Sequence, residues 1–554
     1  MFKRSRSIQG DMFKSLSIQL GKRKQKLLED PKAWHNVFYK EVLSRIDESP
    51  YSVLYDDVMG RPNSSIRIMI SMMVLKEGQG WSDEQLFEAS SFDIKVMHAL
   101  GLFHIDQDVP AESTYYEFRR LLTIHNAAQS RDLLKWTFAD ITAQQAKELN
   151  IKGKKIRMDS KLINSNIAKS TRLQLILEAT RKYLSKSANE YSDIPSKHKE
   201  LRCQLRTKTS SNISYSLSIK EKKEMLVQLG QFIKYLLSKD TTHVDNHNHI
   251  LSRIYKEHYQ EDKEDKEDKD NPGPKAPKDI SSTSIQSAHD IDAAYRCKGQ
   301  GASKQRVSGY HANIVESCDE EDSINLILDV EVIPANICED AFLESAINQS
   351  EQILQKEDGT HTPIEEVITD GGYDSIANRE EMLKGTRPKW RVAKTKGGKR
   401  RYNITKSDQN KIVVIDVGSG TKCKVTQTKN KEKYIIHNPE GSRRYMTLYQ
   451  IENYLKRQEI ESQADTTSYN LRANVESTIH QCFHRLKKRN KIVYRRQIKC
   501  QWYVISRALW VNMTRIVGKN FKFASYLLLL HLWYILNAST TRYYKNEIQH
   551  FSIL

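Results

Sequence analysis

The stretch VITDGGYDS, residues 367–375, ends a short apolar run with an acid, after which come two glycines, a tyrosine and a second acid. Two interpretations are open. Asp370 and the glycines could simply form a turn, because Asp and Gly are common turn residues. Alternatively, a strand ends at Asp370 and directs its carboxylate towards a site that needs one. The order of the other strands and acids along the chain decides between them.

The composition is that of a basic protein with several structural units. The chain has 554 residues, of which 38% are hydrophobic, and a formal net charge of +19. This excess of Lys and Arg favours a polyanionic partner such as nucleic acid. The seven cysteines are scattered without a C-x-x-C pair. This pattern argues against a thiolate zinc site or a disulfide framework and fits a reducing cytosol.

Neither end of the chain predicts a membrane protein. The basic N-terminus lacks the apolar region of a signal peptide. The apolar run at 523–539 is at the lower limit of a membrane span and contains His531 and Asn537. We therefore expect a cytoplasmic protein whose residues 517–554 form an apolar helical tail.

Residues 1–150 show apolar residues at helical spacing and are predicted to form a helical N-terminal domain for DNA binding or dimerisation. Capping-box patterns begin at Ser82 and at Thr114. Arg119 and Arg120 could contact phosphate, although two arginines on a helix more often form a solvated face.

The strands that precede Asp370 follow a recognisable order. The segment 154–163 alternates apolar and polar residues and is predicted to be a short strand that ends at Asp159. Two further strands are predicted at 305–316 and 323–334. A helix and the strand that ends at Asp370 complete the series. The sequence therefore predicts an α/β arrangement with an acid at the end of each of two strands.

We predict that one catalytic domain spans residues 151–516 and carries two insertions. The first, at about 166–284, is polar and helix-rich and ends in the charged, proline-containing linker 261–279. The second, at about 384–438, contains strand-like runs. Its basic start, with Trp390 and Tyr402 among the charges, could contact DNA or could be a solvated loop.

A third acid, Glu476, lies in a predicted helix that is rich in Lys and Arg. Alone, it could merely neutralise Arg472 one turn away. Tyr469, Arg472 and Glu476 are separated by three and four residues, which places them on one helix face, and Lys487 falls on roughly the same face. An acid flanked by phosphate-binding groups suits a metal-dependent phosphodiester site.

The residue types indicate which metal such a site would hold. Carboxylates can hold two divalent ions about 4 Å apart, of which one activates the attacking oxygen and one stabilises the leaving oxygen. Mg²⁺ prefers oxygen ligands, and Mn²⁺ is a plausible substitute. We predict that Asp159, Asp370 and Glu476 are both the catalytic residues and the metal ligands. Arg472 can bind phosphate in a bidentate manner, and Tyr469 can position a strand or stack on a base.

Five blocks in the same order carry a resemblance to a known family: GRPNSSIRIMISMMVLKEGQGWSDEQL with VPAESTYYEFRRLL, IRMDSKLINSNIAKSTRLQLI, VEVIPANICEDAF, VITDGGYDS and YNLRANVESTIHQCFHRLKKR. The chain resembles the DDE transposases of bacterial insertion sequences, in the IS5/IS4-like superfamily. The resemblance covers about 35 to 515 apart from the insertions. It includes the Tyr-x-x-Arg-x-x-x-Glu signature. The signature's trailing Lys, seven residues after Glu476, is replaced by Phe483, so that Lys487 or Lys488 is assigned to that role by proximity alone.

The resemblance implies an α/β fold with an RNase H-like mixed sheet flanked by helices, a helical N-terminal domain and two insertions. In that fold Asp159 lies on the first strand, Asp370 at the end of the fourth and Glu476 on a late helix. The implied activity is that of an Mg²⁺-dependent endonuclease and strand transferase. It would bind the terminal inverted repeats of its own insertion sequence, cleave the DNA strand and join the new 3′-OH to target DNA.

The implied partners are double-stranded DNA, at the element ends and at the target, and at least one further copy of the chain, since two ends must be cut in concert. A bacterial cytoplasmic location at the nucleoid follows. Two alternatives remain open: a catalytically inactive DNA-binding relic, and a metal-dependent nuclease without strand transfer. The predicted DNA-binding residues are Tyr469, Arg472, Lys487, Lys488, Arg489, Arg495 and Arg496.

Other candidates are weaker. Asp374, the second acid of the opening stretch, is predicted to cap the helix that follows. His243 and His247 have the i, i+4 spacing of a metal pair but lack an accompanying H-E-x-x-H pattern. His311 could line the active site, although a buried histidine of the sheet is the simpler interpretation. Asp416 is an acid of suitable type, but it belongs to the second insertion and is expected to form a turn.

Overall fold

The structure is a computed structural model. It describes residues 2–4, 17–56, 61–104, 106–186, 194–239, 246–260, 273–299, 301, 304–355, 363–393, 395, 400–407, 411–429, 432–463 and 466–519, without the side chains of 186, 246–249 and 466–473. The apolar run at 523–539, the linker residues 261–272 and His243 lie outside these residues. None of the helices in the described part of the chain has the length and apolar character of a membrane span.

The N-terminal region is helical, as predicted. Ser82 and Gln85 form the predicted capping box, with both reciprocal hydrogen bonds present. The second capping box is wrong, because the helix begins two residues before Thr114 and follows Ala111. The helices are α1 (Lys22–Leu28), α2 (Trp34–Glu41), α3 (Ile66–Gln79), α4 (Asp83–Phe92), α5 (Ile94–Ala99), α6 (Glu112–Gln129) and α7 (Leu133–Glu148).

A six-stranded mixed sheet follows, which confirms the predicted α/β class with a helical N-terminal region. Its path is β2-β3-β1-β5-β6, and β4 also pairs with β3. The β1–β3, β2–β3 and β3–β4 pairs are antiparallel, whereas β1–β5 and β5–β6 are parallel. The strands are β1 (Lys155–Asn164), β2 (Ala294–Lys298), β3 (Gln305–Ser317), β4 (Ile327–Pro334), β5 (Glu366–Thr369) and β6 (Lys389–Val392).

The two faces of this sheet are covered by different elements. Between β4 and β5 the chain forms a short 3-10 turn, Glu339–Phe342, and helix α8. The turn and this helix cover one face, where Met158, Val315 and Phe342 share a core. The opposite face, which includes Ile314, packs in a larger core with N-terminal and C-terminal helices. Because side chains alternate along a strand, consecutive residues of β1 face different cores. Helix α8 spans Leu343–Ile353.

The first insertion is a helical unit with its own core, in which Leu229, Phe232 and Tyr259 are fully buried. It therefore buries enough apolar surface to order itself. Its helices are α9 (Arg172–Lys186), α10 (Ser196–Thr207), α11 (Ser210–Tyr215), α12 (Ile219–Lys239) and α13 (Asn246–His258).

The second insertion is an antiparallel five-stranded sheet in the order β11-β10-β9-β8-β7, packed on helix α15. The segment at 384–438 that was predicted as an insertion also contains β6, which belongs to the main sheet. The elements are α14 (Ile376–Met382), β7 (Tyr402–Lys406), β8 (Ile412–Asp416), β9 (Lys422–Gln427), β10 (Lys433–His437), β11 (Arg443–Thr447) and α15 (Leu448–Gln463).

Two helices close the described chain: α16 (Thr466–Phe483) and α17, at 497–519. Both pack in the large core together with α3 and with the sheet face that includes Ile314. The helix of Glu476 was predicted to continue to Lys487, but it ends at Phe483. The only helical element between α16 and α17 among the described residues is the 3-10 turn Lys488–Asn490. The N-terminal helices, the sheet and the C-terminal helices therefore share one apolar core.

Candidate active site

Asp159 lies in the middle of β1, so the prediction that it ends a short strand is wrong. The strand continues to Asn164 because Leu162 and Ile163, which follow Asp159, are also buried in the protein. Asp159 pairs with Ile314 of β3, whose side chain belongs to the large core together with Ile479 and Phe483 of α16. The half-buried Asp159 carboxylate therefore lies on the sheet face that α16 covers.

Asp370 directly follows β5, as predicted from the opening stretch. β5 runs parallel to β1, with Ile156 opposite Val367 and Arg157 opposite Ile368. The paired segment ends there, and two residues further along each chain come Asp159 on β1 and Asp370 just after β5, so both acids follow the same end of the paired segment. Asp370 Oδ1 also accepts a hydrogen bond from the Gly372 N–H at 2.8 Å. Asp370 therefore both follows the strand and takes part in the turn, so the two interpretations of the opening stretch describe one feature.

Glu476 is an exposed residue of α16, the helix that crosses β1. A buried polar network fixes this helix. Thr478 donates to Glu316 Oε2 at 2.7 Å, and Arg157 of β1 donates to Glu316 Oε1, also at 2.7 Å. Arg515 of α17 donates to the same Glu316 carboxylate at 2.9 Å. Two guanidinium groups compensate the buried charge, and the network joins α16 to the strand that carries Asp159.

Tyr373 shows that several acids lie close together. Its phenol is fully buried, and its hydroxyl donates to Asn313 Oδ1 at 2.5 Å. Burial raises the pKa of Tyr373 well above its usual range, and the negative charges of Asp159, Asp370 and Glu339 raise this pKa further. The charges of three carboxylates therefore raise the pKa of one phenol, so negative charge is concentrated at this end of β5.

Glu339 is the member of this group that sequence reasoning missed. It lies in the 3-10 turn after β4, inside the CEDAF block, and is buried. A Cβ on Gly372 would lie 1.5 Å from Glu339 Oε2 and 2.8 Å from Asp370 Oδ1, so the two carboxylates meet above this glycine. The signal was an acid at the strand-to-helix connection, but only the fold brings it to Asp370.

Glu339 stays ionised because cationic and polar groups surround it. Its Oε1 lies 2.8 Å from Lys298 Nζ and 3.4 Å from His311 Nε2. Burial opposes the charged form, yet the hydrogen bonds from His311 and Lys298 lower the pKa of Glu339 to about 2. His311 is fully buried and also contacts Ser160 Oγ at 2.9 Å. It is therefore a hydrogen-bonded histidine of the sheet that supports Glu339.

Phe483, at the position of the signature's lysine, is buried in the large core. A lysine of β1, Lys161, places a cation near this position instead. Lys161 Nζ lies 5.9 Å from the centroid of the Phe483 ring. Burial lowers the pKa of Lys161, while the charge of Asp159, two residues away, opposes that shift. Alternation along β1 places Lys161 and Asp159 on one face, so an ammonium group lies next to the first predicted catalytic acid.

The predicted DNA-binding residues fall into separate groups. Lys487 cannot share a helix face with Glu476, because α16 ends at Phe483. Lys488 and Arg489 are exposed in the turn that follows.

The remaining predicted DNA-binding residues lie elsewhere. Arg495 and Arg496 come after this turn. The former donates to the Asn166 carbonyl at 2.8 Å, and the latter lies 3.6 Å from Asp292. Tyr469 and Arg472 belong to α16, but their side chains lie outside the described residues.

Several alternative candidates have structural roles. Asp374 is buried in a two-bond ion pair with Arg379, and Ser375 caps the helix instead, so the predicted cap is wrong. Trp390 and Tyr402 are fully buried, which excludes them from stacking on DNA.

Asp416 accepts hydrogen bonds from Gly418 and Ser419 and forms the expected turn. Arg119, predicted to be solvated, is largely buried and lies over the rings of Tyr115 and Tyr494. The side chains of the possible metal pair, His243 and His247, lie outside the described residues.

The donor chemistry around Asp370 suits a hard divalent cation, since Asp159, Asp370 and Glu339 supply carboxylate oxygens whose charges act on one buried phenol. Across the residues that the structure describes, no three His, Cys, Asp or Glu side chains stand in a metal-binding arrangement. Two of these acids, Glu339 and Asp370, have carboxylate oxygens that both lie close to the Cβ position of Gly372.

The N-terminal helices provide the comparison with known proteins. Residues 27–121 match the family model described as Transposase domain (DUF772). This match supports a transposase-family assignment. It covers α2 to most of α6 and none of the acids discussed above. No curated protein and no solved structure shows significant similarity to the chain. The transposase assignment therefore rests on the N-terminal helices, and the matched region includes none of the strands of the sheet.

Proposed function

We propose that the chain is a DDE transposase of the IS5/IS4-like type. It would bind the terminal inverted repeats of its own element, cleave the DNA strand there and transfer the 3′ end to target DNA. The observation that supports this proposal is that Asp159 on β1 and Asp370 just after β5 both lie two residues beyond the paired segment of these parallel strands, and that the helix of Glu476 packs on β1. The transposase-domain match at 27–121 supports it independently.

The strand order supports an RNase H-like core. On one side of β1, β3 pairs antiparallel with β1 and β4 pairs antiparallel with β3. On the other side of β1, β5 and then β6 continue the sheet as parallel strands. Asp159 then lies on the first strand. With β2 counted as an accessory strand, Asp370 follows the fourth, which is the placement that the family resemblance implies.

We propose that Asp159, Asp370 and Glu476 would hold two divalent ions, with Mg²⁺ favoured and Mn²⁺ as a substitute. When bound, such ions supply an activated water and stabilise the leaving oxygen. Lys161 contributes an ammonium group beside Asp159 that can hold a phosphate oxygen of the scissile strand. The missing side chain of Gly372 leaves the space in which the Glu339 and Asp370 carboxylates come together.

The proposed partners are double-stranded DNA and a second copy of the chain. The net charge of +19 supports a polyanionic partner, because each Lys or Arg that neutralises a phosphate releases a counterion on binding. Cleavage of two element ends in concert would require at least a dimer. A nuclease that never joins strands and a DNA-binding relic share the same residues. Reaction products separate the three.

The test uses labelled DNA that carries the two boundaries of the element, incubated with the full chain and Mg²⁺ or Mn²⁺. We compare the wild type, Asp370→Asn and the matched control Glu365→Gln, an acid at the opposite end of β5 that pairs with Lys154. We expect the wild type and the control to cut at the boundaries. In Asp370→Asn the cleavage rate should fall at least about 1,000-fold, because the carboxylate acts in the transition state.

Other outcomes select the rivals. Cuts without joined products would indicate a nuclease, and binding without cuts in either metal would indicate a relic. Equal cutting by Asp370→Asn and wild type would contradict the assignment of the carboxylate.

A further inference from the structure

A basic groove lies beside the far end of β1. Its cavity has a volume of about 870 Å³ and is enclosed by the segment after β1, the start of β3, one residue of β2 and the turn between α16 and α17. We call it the β1-end groove. Its main lining side chains are Lys169, Tyr295, Arg306, Lys488, Arg489 and Lys491.

The charge of the β1-end groove is of one sign. Five Lys or Arg residues line it, and no Asp or Glu does. Lys169, Arg306 and Lys488 are exposed. Within the described part of the chain, no acidic side chain forms an ion pair with any of these three. A concave surface with several cations and no acid concentrates positive potential and attracts an anion.

The turn that supplies two of these cations is held in an unusual backbone conformation. Arg489 and Asn490 both have positive φ, at 65° and 53°, a region that residues other than glycine rarely adopt. Asn164, the last residue of β1, holds the turn there: its side chain donates to the Arg489 carbonyl at 2.8 Å, and its carbonyl accepts the Ile492 N–H at 2.9 Å. Strain held in this way is typical of functional sites.

The groove also lies on the strand that carries the first predicted catalytic acid. Asn164 follows Asp159 by five residues on β1. At a rise of about 3.3 Å per residue, the groove begins about 17 Å from Asp159.

The size and lining of the groove indicate what it would bind. A volume of about 870 Å³ is that of a pocket for one small molecule or a few linked nucleotides, and it is too small for a duplex. Arg306 and Lys169 can contact phosphates, and the half-buried Tyr295 can stack on a base. Stacking on an aromatic ring requires a base that is not paired within a duplex.

We propose that the β1-end groove binds a short single-stranded segment of DNA, with phosphates on Arg306, Lys169 and Lys488 and a base against Tyr295. The identity of that segment as the strand on which Asp159 acts rests on the proposed function. The groove then holds the strand about 17 Å from Asp159 and keeps it unpaired.

The test measures binding of a fluorescent 12-nucleotide single strand and of the matching duplex to the full chain, over a range of salt concentrations. The double variant Arg306→Gln with Lys169→Gln should bind the single strand at least 10-fold more weakly. The slope of log affinity against log salt should fall by about 1.4, since each phosphate contact contributes about 0.7 on single strands. Tyr295→Leu should weaken binding without a change in this slope.

The matched control is Lys197→Gln with Lys199→Gln, which removes the same charge from two exposed positions of α10 in the first insertion. It should bind like the wild type. A second measurement does not depend on variants: ultraviolet crosslinking of the wild type to an iodouracil-substituted single strand should give a crosslinked peptide that contains Tyr295.

Wild-type affinity and slope in the Arg306 and Lys169 double variant, or an equal loss for single strand and duplex, would overturn the groove assignment. So would crosslinks that map elsewhere. The proposed function fails separately, because this test measures binding of the strand and scores no cleavage. A groove that binds DNA in a chain that never cuts would leave the groove assignment intact and contradict the transposase chemistry.

Discussion

At the scale of single residues, Gly372 decides how close two acids come. The position where its Cβ would lie is occupied by Glu339 Oε2, at 1.5 Å, and Asp370 Oδ1 is 2.8 Å away. Real side chains do not approach this closely, so any larger residue must displace a carboxylate. Glu339 has two partners that resist displacement, Lys298 and His311. The glycine is thus needed for space rather than for an unusual backbone angle.

We predict that Gly372→Ala lowers DNA cleavage at least about 10-fold while the chain stays folded, because a carboxylate shift of about 1 Å is enough to cost that much. The measurement is cleavage of end DNA together with thermal unfolding. Gly385→Ala is the matched control, since nothing lies within 4 Å of a Cβ added at that position. Full activity in Gly372→Ala would mean that the contact of Glu339 with the turn is irrelevant to the chemistry.

At the scale of elements, Arg507 of α17 fastens two helix ends at once. Its fully buried guanidinium donates to the carbonyls of Glu77 and Gly78, at 2.8 and 2.9 Å, near the end of α3. It also donates to the carbonyls of Gln481 and Cys482 near the end of α16. A cation at two helix C-termini satisfies otherwise unpaired carbonyls and opposes both helix dipoles. This contact joins the transposase-domain helices to the helix of Glu476.

Arg507→Met should lower the free energy of unfolding by about 3 kcal/mol or more, because four buried carbonyls lose their donor. Cleavage should fall with it, since α16 loses an anchor. Denaturant unfolding of the full chain measures the first effect. The control is Arg120→Met, an exposed residue that forms an ion pair with Glu117 one turn away and whose replacement should change stability little. Equal stabilities of the two variants would contradict this account.

At the scale of the whole molecule, buried histidines make stability depend on pH. Burial, together with nearby positive charge, lowers the pKa of His98, in the N-terminal helices, and of His258, in the first insertion, each to about 4. The unfolded chain binds these protons near pH 6.5. Between pH 6.5 and 4 it therefore binds more protons than the folded chain, so stability falls as the pH falls through this window.

We predict that each histidine contributes a loss of at most about 1.4 kcal/mol per pH unit in this window. His258→Phe should reduce the difference in thermal midpoint between pH 7.5 and pH 5. Its ring nitrogens have no hydrogen-bond partner among the described residues, so the substitution leaves no polar group unpaired. Measurement at pH 7.5, where the histidine is neutral in both states, separates packing from titration. An unchanged pH difference would contradict the prediction.

The sequence by itself determined the local elements and the acids at β1 and β5. Alternation in IRMDSKLI and the apolar run before Asp370 depend on nearest neighbours along the chain, so the strands and the Ser82 capping box could be predicted. The hydrophobic pattern along the chain does not show at which residue a strand ends. Asp159 was therefore placed at a strand end although β1 continues for five further residues.

Only the tertiary structure decided which distant residues meet. Glu339 reaches Asp370, Lys161 reaches Phe483, and the basic turn after α16 reaches the end of β1 through contacts between residues far apart in sequence. The same packing buried Trp390, which composition had grouped with exposed basic residues. Such contacts follow from the pairing of strands and the burial of whole faces, and no local pattern encodes them.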